Sequence, residues 1–145
     1  MNDKFFLDTN ILVYTFDDED LGKRDRARAL VAEALSGSHG IISYQVVQEF
    51  LNAALRKFAK PLTSADAERY LTVVLEPLCA VFAGFDLYHQ AIDIAERWKY
   101  SFFDSLIIAS ALQAGCTVLY SEDLQHGRKI GGLRILDPFV ESPQN

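Results

Sequence analysis

Three aspartates and one glutamate carry the chemical interest of this chain. Asp8 follows the apolar run Phe5-Phe6-Leu7 without a break, and Asp123 follows a second apolar run, Val118-Leu119-Tyr120, after Ser121 and Glu122. Asp104 stands near the start of Ser101 to Leu112, a stretch apolar on nearly every side. Glu49 rides at the edge of the arc formed by Val46, Val47, Phe50, Leu51, Ala54 and Leu55. An ionised group at the mouth of a core is costly unless hydrogen bonds or a cation meet it. Four carboxylates brought to one place repel one another, and at neutral pH they need a hard cation with oxygen ligands, Mg²⁺ or Mn²⁺. Zinc is disfavoured, because no His or Cys grouping has ligand spacing: His39, His89 and His126 are scattered.

Each acid taken singly has a plainer reading. Asp8 is equally placed to cap a helix beginning near Asn10. Ser101 and Asp104 have capping-box spacing, and a first-turn acid also suits the helix dipole. Turn chemistry accounts for Ser121-Glu122-Asp123, where Glu122 is expected to face the opposite way and reach solvent. A Glu at an amphipathic boundary beside Gln45 and Arg56 is ordinary, so Glu49 alone reads as surface. The constellation is more specific than its members.

The elements that must position these acids alternate between strand and helix. Strands are expected at Phe5 to Leu7, Gly40 to Ser43, Leu78 to Phe82, Thr117 to Ser121 and Leu133 to Leu136. Between them, helical spacing predicts Ile11 to Phe16, then Lys23 to Leu35 with Gly37 as a stop. Next come Ser43 capping a helix to about Lys57, and a helix from Thr63 or Ser64 that Pro77 ends. Asp86 is expected to cap a helix through Trp98, and a buried helix lies over Ser101 to Leu112 with Gly115 beyond it. Strands separated by helices imply parallel pairing through right-handed crossovers, hence an α/β fold, a three-layer α/β/α sandwich with a mainly parallel sheet. That topology brings all four acids toward one edge of the sheet.

The 145 residues suit one domain spanning 1–145, and 50% hydrophobic residues supply its core. No apolar run approaches the roughly 20 residues of a membrane span, and no export signal is visible at Met1-Asn2-Asp3-Lys4. Cys79 and Cys116, far apart and without ligand spacing, read as reduced core residues of a cytoplasmic protein. A net charge of -6 argues against a general nucleic-acid binder. Acids that hold a cation nonetheless present positive charge to a substrate. The acidic loop Asp17 to Gly22 lacks the spacing of a calcium loop. Basic residues cluster at Lys23, Arg24, Arg26 and Arg28, at Arg56, Lys57 and Lys60, and at Arg128 and Lys129; each group is either a solvated face or a contact for a polyanion.

Phe6-Leu-Asp-Thr-Asn10, Val47-Gln-Glu-Phe50, Ser101-Phe-Phe-Asp-Ser-Leu-Ile107 and Leu119-Tyr-Ser-Glu-Asp-Leu-Gln-His-Gly127 resemble, in that order, the four acid-bearing motifs of PIN-domain ribonucleases. The similarity is nearest to the VapC-like toxins of bacterial toxin–antitoxin pairs and spans essentially the whole chain. The resemblance implies a PIN-like domain with an Mg²⁺ or Mn²⁺ site carried by Asp8, Glu49, Asp104 and Asp123, supported by Thr9, Asn10 and Ser121. Asp8, Asp104 and Asp123 would hold the ion or ions, with Glu49 orienting or deprotonating the attacking water. The substrate would be RNA, single-stranded or looped. Arg128 and Lys129 are candidate phosphate contacts that His126 could join, or else members of a solvated loop. The resemblance also implies a cognate antitoxin and a homodimer, and the apolar helices between Tyr44 and Leu78 are compatible with both.

Two rivals stand beside this reading. A phosphatase with a strand-end Asp nucleophile needs a second Asp two residues on, where this chain has Asn10. A non-catalytic module that kept the fold for binding RNA or protein is the other, and the four retained acids argue against it.

Overall fold

The sheet is built outward from β1 (Phe5–Leu7), whose three residues are buried on both faces, as a central parallel strand requires. A computed structural model describes residues 3–37 and 39–140 of the chain. Parallel to β1 run β2 (Gly40–Ser43) on one side and β4 (Val118–Tyr120) on the other, with Phe6 level with Ile41 and Leu119. Beyond them lie β3 (Cys79–Val81) next to β2 and β6 (Leu133–Leu136) next to β4, both parallel. A two-residue strand, β5 (Lys129–Ile130), pairs antiparallel with β6 and completes the order β3-β2-β1-β4-β6-β5. The sequence pattern missed β5, because two residues cannot display an alternation.

The chain moves from β1 through β2 to β3, then crosses to β4 on the other side of β1, so the strand order reverses between β1 and β4. Open α/β sheets bind ligands at the carboxyl ends of the strands flanking such a switch. The helices form layers on the two faces. On one, α1 (Thr9–Tyr14) packs on α2 (Leu21–Gly37) and α3 (Tyr44–Arg56), α3 meets α4 (Ser64–Tyr70), and α2 meets α5 (Glu76–Leu78). On the other, α6 (Phe85–Trp98) packs along α7 (Phe102–Gln113). The result is the expected three-layer sandwich. Its core runs through Phe6, Leu7, Ile42, Leu119 and Ile135, with Ile108 inserted from α7 and Phe50 from α3.

Several boundaries differ from the expectations. The first helix starts at Thr9, directly capped by Asp8, and α2 extends from Leu21 through Gly37. Leu35 and Leu55, expected on buried stripes, are each 39% exposed. Ser43 stands at the N-cap of α3 without a capping hydrogen bond from its side chain. Pro77 does not end its helix. A π-helical turn, Leu71–Leu75, follows α4, and the amide of Glu76 bonds to Leu71 O five residues back. The widened register places Pro77 in the first turn of α5, where its missing N–H costs nothing. Asp86 does not cap α6, since Gly84 occupies the N-cap and Asp86 lies in the first turn. Both cysteines are free thiols, Cys116 buried and Cys79 half-buried.

One close approach fixes the α2 layer. A Cβ on Gly40 would stand 2.1 Å from the Cβ of Ala34, so only glycine lets α2 lie this near β2. Among the described residues, no helix is long and apolar enough to cross a membrane.

Candidate active site

The carboxyl ends of β1 and β4 bring Asp8 and the Ser121-Glu122-Asp123 turn to the two sides of the switch point. Asp8 is only 7% exposed. Its Oδ1 accepts from the Thr9 amide at 2.7 Å, the N-cap bond of α1, and its Oδ2 accepts from the Ser121 hydroxyl at 2.7 Å. The capping reading and the inward-facing reading therefore hold together. Burial pushes the Asp8 carboxyl up to about 7, opposed by the Ser121 and Thr9 hydrogen bonds and reinforced by the negative charges of Glu49 and Asp123.

The second turn is tied to the first. Asn10 Nδ2 donates to Asp123 Oδ2 at 3.1 Å, the Glu122 amide donates to Asn10 Oδ1 at 3.2 Å, and the Asp123 amide donates to Ser121 Oγ at 3.2 Å. Asp123 itself is exposed. Glu49 reaches the same place from the middle of α3, its Oε1 accepting from the Thr9 hydroxyl at 2.5 Å. Asp104 enters from the start of α7, where the Ser101 hydroxyl accepts from the Asp104 amide at 3.1 Å. Among the described residues no return bond runs from the Ser101 amide to the Asp104 carboxylate, so that carboxylate is not spent on a capping box. Burial raises the Asp104 carboxyl above its usual range, the Ser101 hydroxyl opposes, and Asp123 and Glu49 add to the rise. Asp8 and Asp104 each feel the charges of Glu49 and Asp123, so the four acids form one electrostatic group.

Two participants escaped the sequence reading. Gln45 is 4% exposed, and its amide nitrogen donates both to Glu49 Oε2 at 3.1 Å and to Phe103 O at 3.3 Å. The i,i+4 spacing from Gln45 to Glu49 is visible in the sequence, where it reads as two polar residues on one surface. Glu122, expected in solvent, instead accepts from Tyr14 Oη at 2.7 Å and forms an ion pair with Lys23. The Lys23 ammonium also lies over the rings of Tyr14 and Phe139, which accounts for one cation of the α2 group. His126 Nδ1 accepts from the Asp137 amide at 2.9 Å and holds the chain after β6. Arg128 is half-buried at the end of the loop from Asp123, while Lys129 lies exposed on β5 opposite Arg134.

Among the described residues, no three acid, His or Cys side chains are already gathered as a cation cage. The oxygens of Asp8, Glu49 and Asp123 are met instead by the hydroxyl and amide donors of Thr9, Asn10, Gln45 and Ser121. The donor chemistry nevertheless fits a hard divalent ion. All four groups are carboxylates, and a buried Asp beside two other acids is one whose ionised form a cation stabilises. Mg²⁺ keeps several waters and commonly takes only one or two protein carboxylates together with substrate phosphate, so a full protein cage is not required.

The PIN domain model matches residues 5–130, and the chain belongs to the PIN domain family. Its structure is similar to a chain of a toxin–antitoxin complex from Klebsiella pneumoniae, with a TM-score of 0.69 at 19% identity, covering 93% of this chain and 98% of that one. It is also similar to Mycobacterium tuberculosis VapC20, a sarcin-ricin loop cleaving toxin, with a TM-score of 0.63 at 22% identity, covering 83% and 90%. A chain of DNA-bound VapBC from Salmonella typhimurium gives a TM-score of 0.58 at 23% identity, covering 93% and 98%. No curated protein matches the chain by sequence.

Proposed function

We propose that this protein is an endoribonuclease that hydrolyses RNA phosphodiester bonds with Mg²⁺ or Mn²⁺, and that it is the toxin of a toxin–antitoxin pair. What supports the enzymatic reading is that Ser121, Thr9 and Asn10 tie Asp8, Glu49 and Asp123 into one hydrogen-bonded group at the switch point of the sheet, with Asp104 near enough to feel the charges of Glu49 and Asp123. Membership of the PIN domain family supports it.

Asp8, Asp104 and Asp123 are the residues that would hold the ion. A bound divalent cation supplies Lewis-acid chemistry, polarising the phosphate and making water more acidic. Glu49 is the base or water-orienting group. Thr9 and Gln45 occupy one oxygen each and so fix the plane of its carboxylate. Ser121 and the Thr9 amide hold Asp8, and Asn10 holds Asp123. With water as nucleophile the products carry a 5′-phosphate and a 3′-hydroxyl, and the 2′-hydroxyl need not react. Arg128 and Lys129, a few residues beyond Asp123, are the cations that would meet the RNA backbone.

The toxin role is supported by the likeness to chains of toxin–antitoxin complexes. A cleft of about 490 Å³ lined by Tyr44, Val47, Leu71, Leu75, Cys79 and Phe82 offers apolar surface for an antitoxin or a second copy of the chain.

The direct test incubates purified protein with cellular RNA in Mn²⁺, in Mg²⁺ and in EDTA. Cleavage in either metal, its loss in EDTA and its loss in Asp8→Asn are expected. An Asp8→Asn protein as active as the parent overturns the site, and a parent that cuts no RNA under any condition favours a binding module that kept only the fold.

A further inference from the structure

The loop after Asp123 and the corner between α6 and α7 meet at Arg128. Its guanidinium carbon lies 5.1 Å from the ring centre of Trp98 and 5.3 Å from that of Tyr100, and Nη1 donates to Gln125 Oε1 at 2.7 Å. Trp98 and Tyr100 both reach it because the chain turns sharply between them. Lys99 caps α6 with φ at 65°, a left-handed conformation that a lysine rarely adopts. Tyr100 directly precedes Ser101, the cap of the helix that carries Asp104. The guanidinium is thus tied to the two segments that carry acids: Tyr100 adjoins the start of α7 with Asp104, and Arg128 ends the loop that begins at Asp123.

Its charge is otherwise unused. Among the described residues the ion pairs are Lys23 with Glu122, Arg24 with Asp25 and Arg97 with Asp93, and none involves Arg128. Of the α2 cations, Lys23 pairs with Glu122 and Arg24 with Asp25, while Arg26 and Arg28 lie exposed with one bond each to a backbone carbonyl, Pro138 O at 3.3 Å and Thr15 O at 2.9 Å, and among the described residues neither stacks on an aromatic ring as Arg128 does. Lys129, the neighbour of Arg128, is exposed on β5, and successive strand residues face opposite ways. A planar guanidinium stacked on aromatic rings keeps further N–H groups for a ligand and loses little side-chain freedom when it binds one.

We infer that Arg128, held by Trp98 and Tyr100, is a pre-set fork for an RNA phosphate flanking the scissile one, and that Lys129 takes no part. The inference rests on the ribonuclease reading and divides the two cations which that reading leaves together. Trp98 and Tyr100 are positioning residues, acting on RNA only through Arg128.

The test uses the Asp8→Asn protein, expected to bind without cutting, and a fluorescein-labelled single-stranded RNA of randomised sequence titrated over a range of KCl. Removing one phosphate contact lowers the slope of log affinity against log salt by about 0.7 for a single strand. Arg128→Ala is expected to show that drop with affinity weakened about tenfold, and Lys129→Ala neither change. Arg128→Lys, and the pair Trp98→Leu with Tyr100→Leu, keep the cation and should keep the slope while losing affinity, a split that mere misfolding does not produce. An Arg128→Ala protein that binds RNA with unchanged affinity and slope overturns the fork. So does one whose only change is its oligomeric mass by light scattering, which assigns the cation to a protein interface. A parent that neither binds nor cuts RNA overturns the ribonuclease reading, and the fork with it.

Discussion

At Asp8 the burial that fixes a carboxylate in place also opposes its charge. The folded protein keeps the Asp8 proton up to a pH of about 7, whereas an unfolded Asp loses it near about 4. Between those values the folded state binds more protons, so stability falls as pH rises through the window, and above it the loss is complete. Asp8→Asn should flatten that slope and, in EDTA at pH 8, raise the unfolding free energy by on the order of 2 kcal/mol in urea titrations. An unchanged slope would contradict the burial argument. Gln45→Leu should act in the other direction. It removes the second bond to Phe103 O, whose carbonyl keeps its place in α7, and frees one oxygen of Glu49, costing about 1 kcal/mol. It should also reduce RNA cleavage more than KM changes, as initial rates will tell. At this scale the sequence displayed Asp8-Thr9-Asn10 and Ser121 because they adjoin strand ends. It hid the pairing of Lys23 with Glu122, two residues that each look solvent-bound and meet only through the fold.

Gly40 shows how tightly one layer is set by a neighbouring element. Gly40→Ala places a methyl group against Ala34, and since neither β2 nor α2 can yield alone, about 1–3 kcal/mol of stability should be lost, measured by thermal or urea unfolding. Helix existence was legible from apolar spacing, and parallel pairing followed from the alternation of strand and helix, whereas the strand order is visible only in the structure. The segment 64–78 was read wrongly at Pro77 because a proline signals a stop only when the helical register is regular. The π turn over Leu71–Leu75 breaks that assumption by rearranging backbone bonds, which no side-chain pattern reports. Likewise the corner at Lys99 adopts a conformation for which glycine is the usual signal. Lys99→Gly should therefore leave the melting temperature unchanged or raise it slightly.

Across the whole molecule, the one long-range question is how a protein of net charge -6 would engage a polyanion. On the proposed reading a divalent cation answers it locally. Mn²⁺ should then raise the melting temperature of the parent and have little effect on Asp8→Asn, since an ion stabilises only the state that binds it. The opposite rim of the sheet is assembled differently. There the amide of Phe5 bonds to His39 O, that of Thr117 to Lys4 O and that of Arg134 to Thr117 O, each at 2.9 Å. The Gly131–Gly132 turn between β5 and β6 lies exposed at the same end, with open space around Gly132. A peptide tag spliced into that hairpin would sit a strand's length, on the order of 10 Å, from the carboxyl ends of β1 and β4, where Asp8 and Asp123 follow. Molecules anchored to a bead or a slide by such a handle would present their carboxylates uniformly to the bulk.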